Sequence, residues 1–177
     1  MTPRLTGADD GALAMLSEAL AAEDVACLLL RGGDGAVRAA ADRLRAAAHK
    51  RDTALLIEDR VELAAALQVD GVHLAAASGY AAARRRLGPD GIVGATCASR
   101  HDAMELAEAG ADYVVFGDVD GPAPTAETRA LVEWWSELMT VPCVAAPCAT
   151  PADRAALAAI GADFVAVLPD FLRAGPG

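Results

Sequence analysis

Lysine is almost missing from this chain of 177 residues, because Lys50 is the single lysine among its 15 basic residues. A function that depends on a lysine at any other position is therefore excluded. The basic residues are outnumbered by 25 acidic ones, which gives a formal net charge of -10. Nucleic acids and anionic membrane surfaces are normally bound by clustered Lys and Arg, so we expect neither as a partner.

The sequence also lacks long apolar runs and paired cysteines. No stretch approaches the roughly 18 consecutive apolar residues that suggest a transmembrane helix, although 54% of the residues are apolar. The first residues, MTPRLTGADDG, have neither the basic start nor the apolar core of a secretory signal, so we expect a soluble, cytoplasmic protein. The cysteines occur singly, without a CxxC spacing, which favours buried thiols over metal ligands or disulfides. They are Cys27, Cys97, Cys143 and Cys148.

Short apolar runs alternate with alanine-rich segments of helical spacing, a pattern typical of β/α units around a parallel sheet. Ser99 and Thr150 are predicted helix N-caps, and Gly110 and Gly161 are predicted helix stops. The predicted strands are Val25–Leu30, Ala54–Ile57, Gly71–Leu74, Gly91–Ala95, Asp112–Phe116, Pro142–Ala145 and Asp163–Leu168, with Pro3–Thr6 as a weak candidate ahead of them.

A repeat in the sequence favours a closed barrel over an open, doubly wound sheet. The segment AEAGADYVVFG at 107–117 recurs as AAIGADFVAVL at 158–168, with a fainter copy, ALQVDGVHLA, at 66–75. Such even helix-to-strand junctions, with no glycine-rich dinucleotide motif after any strand, predict an α/β fold of the (β/α)8 TIM-barrel type. We expect residues 1–177 to form this single domain, trimmed at the first strand and the last helix. Trimming would expose apolar surface, so a homodimer is also expected.

Polar residues at the predicted strand ends form the candidate site, because TIM barrels place function at the C-terminal ends of their strands. Arg31 could hold an anion or pair with an acid on the next strand, and the residues alone leave both interpretations open. Glu58 and Asp59 could hold a hard cation such as Mg²⁺, although Asp59 could instead cap the following helix. Thr96 is a candidate hydrogen-bond donor.

Three further titratable residues have a structural interpretation. His73 alternates within the short strand GVHLA, so it either faces the site or is a core histidine, and the core is favoured. Asp112 and Asp163 precede their strands at equivalent places in the repeat. Their repetition predicts a structural role.

Five segments resemble, in unchanged order, the thiamine phosphate synthase family and its relative, the thiazole tautomerase group. They are LLIEDRVELAAALQVDGVHLAAAS, IVGATC, EAGADYVVFGDVDGPAPT, VPCVAA and IGADFVAVL, within residues 27–168. The resemblance implies a (β/α)8 barrel of thiamine biosynthesis. The family's synthase couples hydroxymethylpyrimidine pyrophosphate with a thiazole phosphate, and Mg²⁺ helps the pyrophosphate to leave. Such a site needs cations and backbone donors for the phosphates.

The family's motifs on the first strands are retained only in part. The family's Gln-x-Arg-x-Lys is Leu-Leu-Arg-Gly-Gly at 29–33, which keeps Arg31 as an implied substrate-binding residue and loses the lysine. The family's Asn-Asp pair becomes Glu58-Asp59, which implies Glu58 in substrate binding and Asp59 as a Mg²⁺ ligand. The second metal carboxylate is replaced by Ser78, so Mg²⁺ is a possible cofactor with a reduced ligand set.

The later motifs show similar changes. The family's Ser-Thr pair corresponds to Thr96-Cys97, and its loop with Thr and Lys corresponds to GPAPTAET, which implies Thr96 and Thr125 as substrate-binding residues. The family's Gly-Gly phosphate turn corresponds to 146–148, Ala-Pro-Cys, where proline removes a backbone donor.

The stretch VVFGDVDG places a carboxylate, Asp118, where the tautomerase group has a histidine that moves protons. The resemblance therefore implies Asp118 as a catalytic residue, since an apolar pocket can raise the pKa of a carboxylic acid into a useful range. The other interpretation is an acid that accepts backbone hydrogen bonds in the turn GDVDGP.

All of these changes weaken the predicted binding of phosphates, because cations, glycines and a metal carboxylate are lost while acids are gained. We therefore predict a thiamine phosphate synthase-like protein with weak or lost coupling activity. The alternatives are a non-catalytic protein that binds a small thiazole or pyrimidine or serves as a partner subunit, and a tautomerase-like isomerase that uses Asp118.

Overall fold

The computed structural model describes residues 4–5, 10–22 and 24–167. Strands and helices alternate throughout these ranges, and none of the described helices is long and apolar enough to cross a membrane. The strands are β1 (Arg4–Leu5), β2 (Cys27–Gly32), β3 (Ala54–Glu58), β4 (Gly71–Leu74), β5 (Ile92–Cys97), β6 (Tyr113–Phe116), β7 (Cys143–Cys148) and β8 (Phe164–Val167). The helices are α1 (Asp10–Ala22), α2 (Asp34–His49), α3 (Val61–Leu67), α4 (Tyr80–Leu87), α5 (Arg100–Glu108), α6 (Ala126–Leu138) and α7 (Pro151–Ala159), with a short 3-10 helix at Ala77–Gly79.

The described residues fall into two compact units. The N-terminal unit comprises the described residues up to 73 together with 83–92, and the C-terminal unit comprises 74–82 together with 93–167. In each unit the strands pair in parallel with their neighbours in sequence, and helices lie between them along the chain. The predicted α/β class with parallel strands is confirmed.

The core of the N-terminal unit is a row of apolar side chains on neighbouring strands. Leu30 of β2 lies opposite Ile57 of β3, and Ile57 lies opposite Val72 of β4. All three side chains are fully buried, and burial of each stabilises the fold by about 1.5–3 kcal/mol. This row fixes the strand register and thereby brings the polar residues that follow it to one level.

The core of the C-terminal unit is built around two aromatic residues. Phe116 at the end of β6 and Trp135 of α6 are fully buried, with ring centroids 5.7 Å apart in an edge-to-face arrangement. The Trp135 indole N–H donates to the Val141 carbonyl oxygen at 2.7 Å, which satisfies its polar atom inside the core. These contacts hold α6 against β6.

The repeated aspartates before the strands tie neighbouring strands together. Each accepts a hydrogen bond from a backbone N–H near the start of the preceding strand: Asp70 from Leu55 at 2.7 Å, Asp112 from Val93 at 2.7 Å and Asp163 from Cys143 at 2.9 Å. The structural role predicted for Asp112 and Asp163 is confirmed.

The predicted helix ends are also confirmed. Ser99 caps α5 by accepting from the Asp102 N–H, and Thr150 caps α7 in a capping box with Asp153. Gly110 and Gly161 follow the helices at φ values of 86° and 92°, a conformation that favours glycine.

Several strands extend further than predicted. β2, β3 and β5 continue to Gly32, Glu58 and Cys97, so Arg31, Glu58 and Thr96 lie within strands instead of after them. β7 continues to Cys148 through an irregularity after Ala145, so residues 146–148 lie within the strand and not after it. The predicted strands ended at their last apolar residue. The backbone hydrogen bonds between strands continue further, because a polar side chain at the end of a strand does not interrupt them. The predicted last-helix region lies outside the described residues.

Candidate functional site

A buried polar row in the N-terminal unit contains two of the predicted site residues. Arg31 follows Leu30, Glu58 follows Ile57, and Glu58 lies opposite His73 in the β3–β4 register. The Arg31 Nε donates to Glu58 Oε1 at 2.8 Å. The exposed fractions of the two side chains are only 1% and 7%. Of the two interpretations of Arg31, the structure shows the ion pair with an acid on the next strand.

His73 is a buried core histidine, as the sequence favoured, since its exposed fraction is 3%. Burial lowers the pKa of His73 to about 4; the Asp59 carboxylate opposes this shift, and the Arg31 guanidinium adds to it. The imidazole is therefore neutral at pH 7 and adds no positive charge to the row.

The lowered pKa of His73 predicts a loss of stability in weak acid. Unfolded His73 takes up a proton near pH 6.5, whereas the folded form does so only near pH 4. Its contribution is therefore complete above pH 6.5 and is lost as the pH falls towards 4, by about 3 kcal/mol. Denaturant unfolding at pH 7 and pH 4.5 should show a smaller loss in His73→Gln than in the wild type. The exposed His101 offers a control, and an equal effect of His101→Gln would contradict the prediction.

Asp59, the predicted metal ligand, is exposed and has a left-handed backbone with φ of 55°. Its N–H donates to the His73 carbonyl oxygen at 2.9 Å. The N-cap of α3 is Arg60, without a side-chain capping bond. Asp59 therefore precedes the N-cap of α3 by one residue and is not the N-cap itself.

A cavity of about 230 Å³ lies within the C-terminal unit. It is bounded by the chain that follows β4 and by the end of β5, where the predicted residue Thr96 is located. Among the described residues, its lining contains alanines, two hydroxyls and one carboxylate, with no Lys or Arg. The lining residues are Ala75, Ala76, Ala77, Ser78, Thr96, Ala98 and Asp102.

Asp102 is the lining residue that the sequence analysis missed as a site residue. Its carboxylate accepts from the Ala98 N–H at 3.2 Å, and its own N–H donates to the Ser99 hydroxyl at 3.1 Å. The spacing Ser99-x-x-Asp102 is a capping-box pattern. It could have placed Asp102 at a helix start beside a strand end, where TIM-type proteins build their sites.

Asp118, the predicted catalytic residue, lies in a turn directly after β6. Its side chain is exposed, and Oδ1 accepts from the Asp120 N–H at 2.9 Å. The Gly121 N–H donates to the Asp118 carbonyl oxygen at 3.0 Å. These are the contacts of the turn interpretation, and the apolar surroundings that proton transfer requires are not seen at Asp118.

Thr125, the predicted residue of the substrate loop, is the N-cap of α6. Its hydroxyl oxygen accepts from the Thr128 N–H at 3.1 Å and lies 3.0 Å from the Thr128 hydroxyl. The side chain is exposed. The structure thus gives Thr125 a structural role, and substrate binding by Thr125 stays a prediction.

The cysteines are thiols in apolar surroundings, as expected. None of the described cysteines is in a disulfide; Cys97, Cys143 and Cys148 are buried, and Cys27 is half-buried. Burial raises the pKa of Cys97 to about 12, so its thiol is protonated at neutral pH and is a poor metal ligand.

Few carboxylates remain at the positions where the family's motifs place magnesium ligands. The described residues contain no group of three or more His, Cys, Asp or Glu side chains suited to a metal ion. Glu58 is paired with Arg31, and Ser78 carries no charge, which leaves Asp59 as the remaining family position with a carboxylate. One carboxylate holds Mg²⁺ only together with waters or substrate phosphates.

Parallel strands that alternate with helices and carry polar residues at their C-terminal ends are the arrangement of TIM-barrel-like α/β proteins. The family model of thiamine monophosphate synthase matches residues 2–171. The thiamine-phosphate synthase of Rhodospirillum centenum is 44% identical over 162 residues, which cover 86% of this chain and 78% of that protein. The same enzyme of Hyphomonas neptunium is 42% identical over 171 residues, which cover 86% and 75%. This chain belongs to the thiamine monophosphate synthase family.

A solved structure shows that the fold is shared as well. Thiamine phosphate pyrophosphorylase from Pyrococcus furiosus matches this chain with a TM-score of 0.75. The match covers 90% of this chain and 80% of that one, at 23% identity. The fold is that of the TIM-barrel-like thiamine phosphate synthases, which agrees with the predicted fold class at this level.

Proposed function

We propose that this chain is a thiamine-biosynthesis protein in which coupling of hydroxymethylpyrimidine pyrophosphate with a thiazole phosphate is weak or lost. Its family membership supports the thiamine role. The weak coupling rests on one observation, the cavity of the C-terminal unit, whose lining includes Asp102 and, among the described residues, no basic side chain. We also propose that the protein is cytoplasmic and that its strands form a closed, trimmed (β/α)8 barrel.

The charge of the cavity opposes phosphate binding. The cavity follows β4, where the resemblance places a metal carboxylate, and it contains Thr96 from the motif that the family has as Ser-Thr. A phosphate there meets the Asp102 carboxylate. Two like unit charges about 4 Å apart repel by about 4 kcal/mol at an effective dielectric constant of 20. Such a penalty weakens binding on the order of a thousandfold.

The same cavity suits a small uncharged ring. Alanine methyl groups supply apolar surface, and the hydroxyls of Ser78 and Thr96 supply hydrogen-bonding groups. A volume of about 230 Å³ lies below the range of roughly 300–1,000 Å³ typical of drug-sized ligands. The proposed ligand is therefore an unphosphorylated thiazole or pyrimidine, bound by Thr96.

The coupling assay tests this proposal directly. With both phosphorylated precursors and Mg²⁺, we expect less than about 1% of the rate of the Rhodospirillum centenum enzyme, which corresponds to about 3 kcal/mol of lost transition-state stabilisation. A rate within tenfold of that enzyme would contradict the proposal.

A gain-of-function variant gives the matching experiment. Gly33→Lys with Ser78→Asp restores two residue types of the family's motifs. A Cβ on Gly33 has no heavy atom within 4 Å, so a side chain fits there. We expect this double variant to raise the coupling rate at least about tenfold, or about 1.4 kcal/mol. Gly33→Ala with Ser78→Ala is the control and should give no gain.

The isomerase alternative is favoured by one feature, the position of Asp118 directly after β6. If Asp118 transfers a proton, Asp118→Asn abolishes isomerisation of a thiazole phosphate, whereas Asp120→Asn leaves it intact. Because Asp118 is exposed and bound within its turn, we expect neither substitution to change the rate by more than about threefold. A selective loss in Asp118→Asn would establish the isomerase function instead.

We also propose that the chain forms a homodimer. β8 of the C-terminal unit is poorly covered, with Phe164 46% exposed and the residues up to Val167 half-buried. An apolar strand with this exposure suits a subunit contact. Sedimentation equilibrium should give twice the chain mass of 18.0 kDa, and a monomer mass would remove the dimer from the proposal.

A further inference from the structure

Arg31 is neutralised by a residue of its own chain. Its Nε donates to Glu58 Oε1 at 2.8 Å, and both side chains are almost wholly buried. The guanidinium is a planar group that recognises carboxylates and phosphates with the same hydrogen-bonding edge. In this chain a carboxylate therefore already occupies part of the edge that an anionic ligand would need.

The surrounding groups add no spare positive charge to this row. Burial holds the pKa of His73 at about 4, so its imidazole is neutral at pH 7. The charges of Arg31 and Glu58 then cancel. Nearby, Arg60 is also paired, through a 2.6 Å contact from its Nε to the Asp34 carboxylate. Arg31 and Arg60 are thus each paired with a carboxylate.

We propose that Glu58 is a specificity-determining residue: its carboxylate takes the place of a ligand anion on Arg31 and excludes diphosphate from the N-terminal unit. A diphosphate that bound to Arg31 would have to displace Glu58 and leave its carboxylate buried without its partner, which is unfavourable. Removing this one charge should therefore convert Arg31 into an anion-binding group. The inference deepens the proposed function by naming a residue that rejects phosphorylated ligands.

Glu58→Gln tests the inference, because glutamine keeps the shape of the side chain and removes its charge. The probe is inorganic pyrophosphate without metal, measured by calorimetric titration and by the shift in unfolding temperature. We expect pyrophosphate to bind Glu58→Gln at least about tenfold more tightly than it binds the wild type. Bound pyrophosphate should also stabilise this variant, since a ligand that binds only the folded state raises its stability. Equal affinity for the two proteins would overturn the proposal.

Two controls separate the Arg31 site from general charge effects. Asp34→Asn removes the same charge from the exposed pair with Arg60, so it should leave pyrophosphate affinity within about twofold of the wild type. Glu58→Gln combined with Arg31→Gln should lose the gained affinity. A gain that persists in the double variant, or an equal gain in Asp34→Asn, would show that Arg31 is not the binding group.

Loss of the Arg31–Glu58 ion pair could prevent folding, so the experiment also uses a second variant and a refolding measurement. Glu58→Asn, which restores the residue type that the family has at this position, serves as the second variant. Each variant is refolded with and without pyrophosphate. The proposal predicts recovery of the folded state with pyrophosphate, and failure of both variants to fold in its presence would contradict the proposal.

The inference and the proposed function fail in different ways. Wild-type coupling at the rate of its relatives would remove the proposed loss of activity, whereas tighter pyrophosphate binding by Glu58→Gln would still support the role of Glu58. Absence of that gain in a wild type that does not couple would remove only the inference.

Discussion

Arg31→Gln lowers the free energy of unfolding by about 3–5 kcal/mol, because it leaves the Glu58 carboxylate buried without its charged partner. The pair is almost completely shielded from water, and its Nε to Oε1 distance is 2.8 Å. Breaking a buried pair by removing one partner is costly even where the intact pair contributes little net stability. Denaturant unfolding followed by circular dichroism measures the effect.

Arg60→Gln is the matched control for this prediction. Arg60 pairs with Asp34 at 2.6 Å, but the two side chains are 34% and 72% exposed. Solvent screens such a pair, so we expect a loss below about 1 kcal/mol. Equal losses in the two variants would show that burial does not determine the importance of Arg31.

Gly117→Ala is expected to destabilise the protein by about 2–6 kcal/mol, the sum of a strained backbone and a steric clash. Gly117 has φ of 100°, and a Cβ added there would lie 1.9 Å from the Ala146 carbonyl oxygen. The neighbouring strand therefore approaches too closely for any side chain. Thermal or denaturant unfolding of the variant tests this at neutral pH.

Gly35→Ala is a control of opposite sign. Gly35 lies in α2, and a Cβ there has no heavy atom within 4 Å. Alanine is favoured over glycine in a helix by about 1 kcal/mol, so this variant should be at least as stable as the wild type. Little effect of Gly117→Ala, or a similar loss in Gly35→Ala, would contradict the close approach at Gly117.

The regular parts of the fold were predictable because they follow local patterns. The alternation of apolar strands and helices gave the α/β class, and the caps at Ser99 and Thr150 follow from side chains that bond within one turn. The repeated aspartates were also predictable, since Asp112 and Asp163 recur at the same place before a strand.

The interactions of the candidate site were less predictable, because they depend on strand register. Sequence alone left Arg31 open between an anion site and an ion pair, and only the β2–β3 pairing shows that Glu58 is its partner. Asp102 was missed because its bonds to Ala98 and Ser99 follow from how α5 starts after β5. For Asp118, the sequence allowed either a turn residue or a proton-transfer residue. The structure shows the hydrogen bond of the turn, because its carboxylate accepts from the Asp120 N–H.

We propose that the described strand ends carry too little positive charge outside ion pairs to bind a phosphorylated precursor. The most direct measurement is a calorimetric titration of the wild-type protein with hydroxymethylpyrimidine pyrophosphate in excess Mg²⁺. We predict a dissociation constant weaker than about 1 mM, or about −4 kcal/mol of binding free energy. A dissociation constant in the micromolar range would contradict the claim.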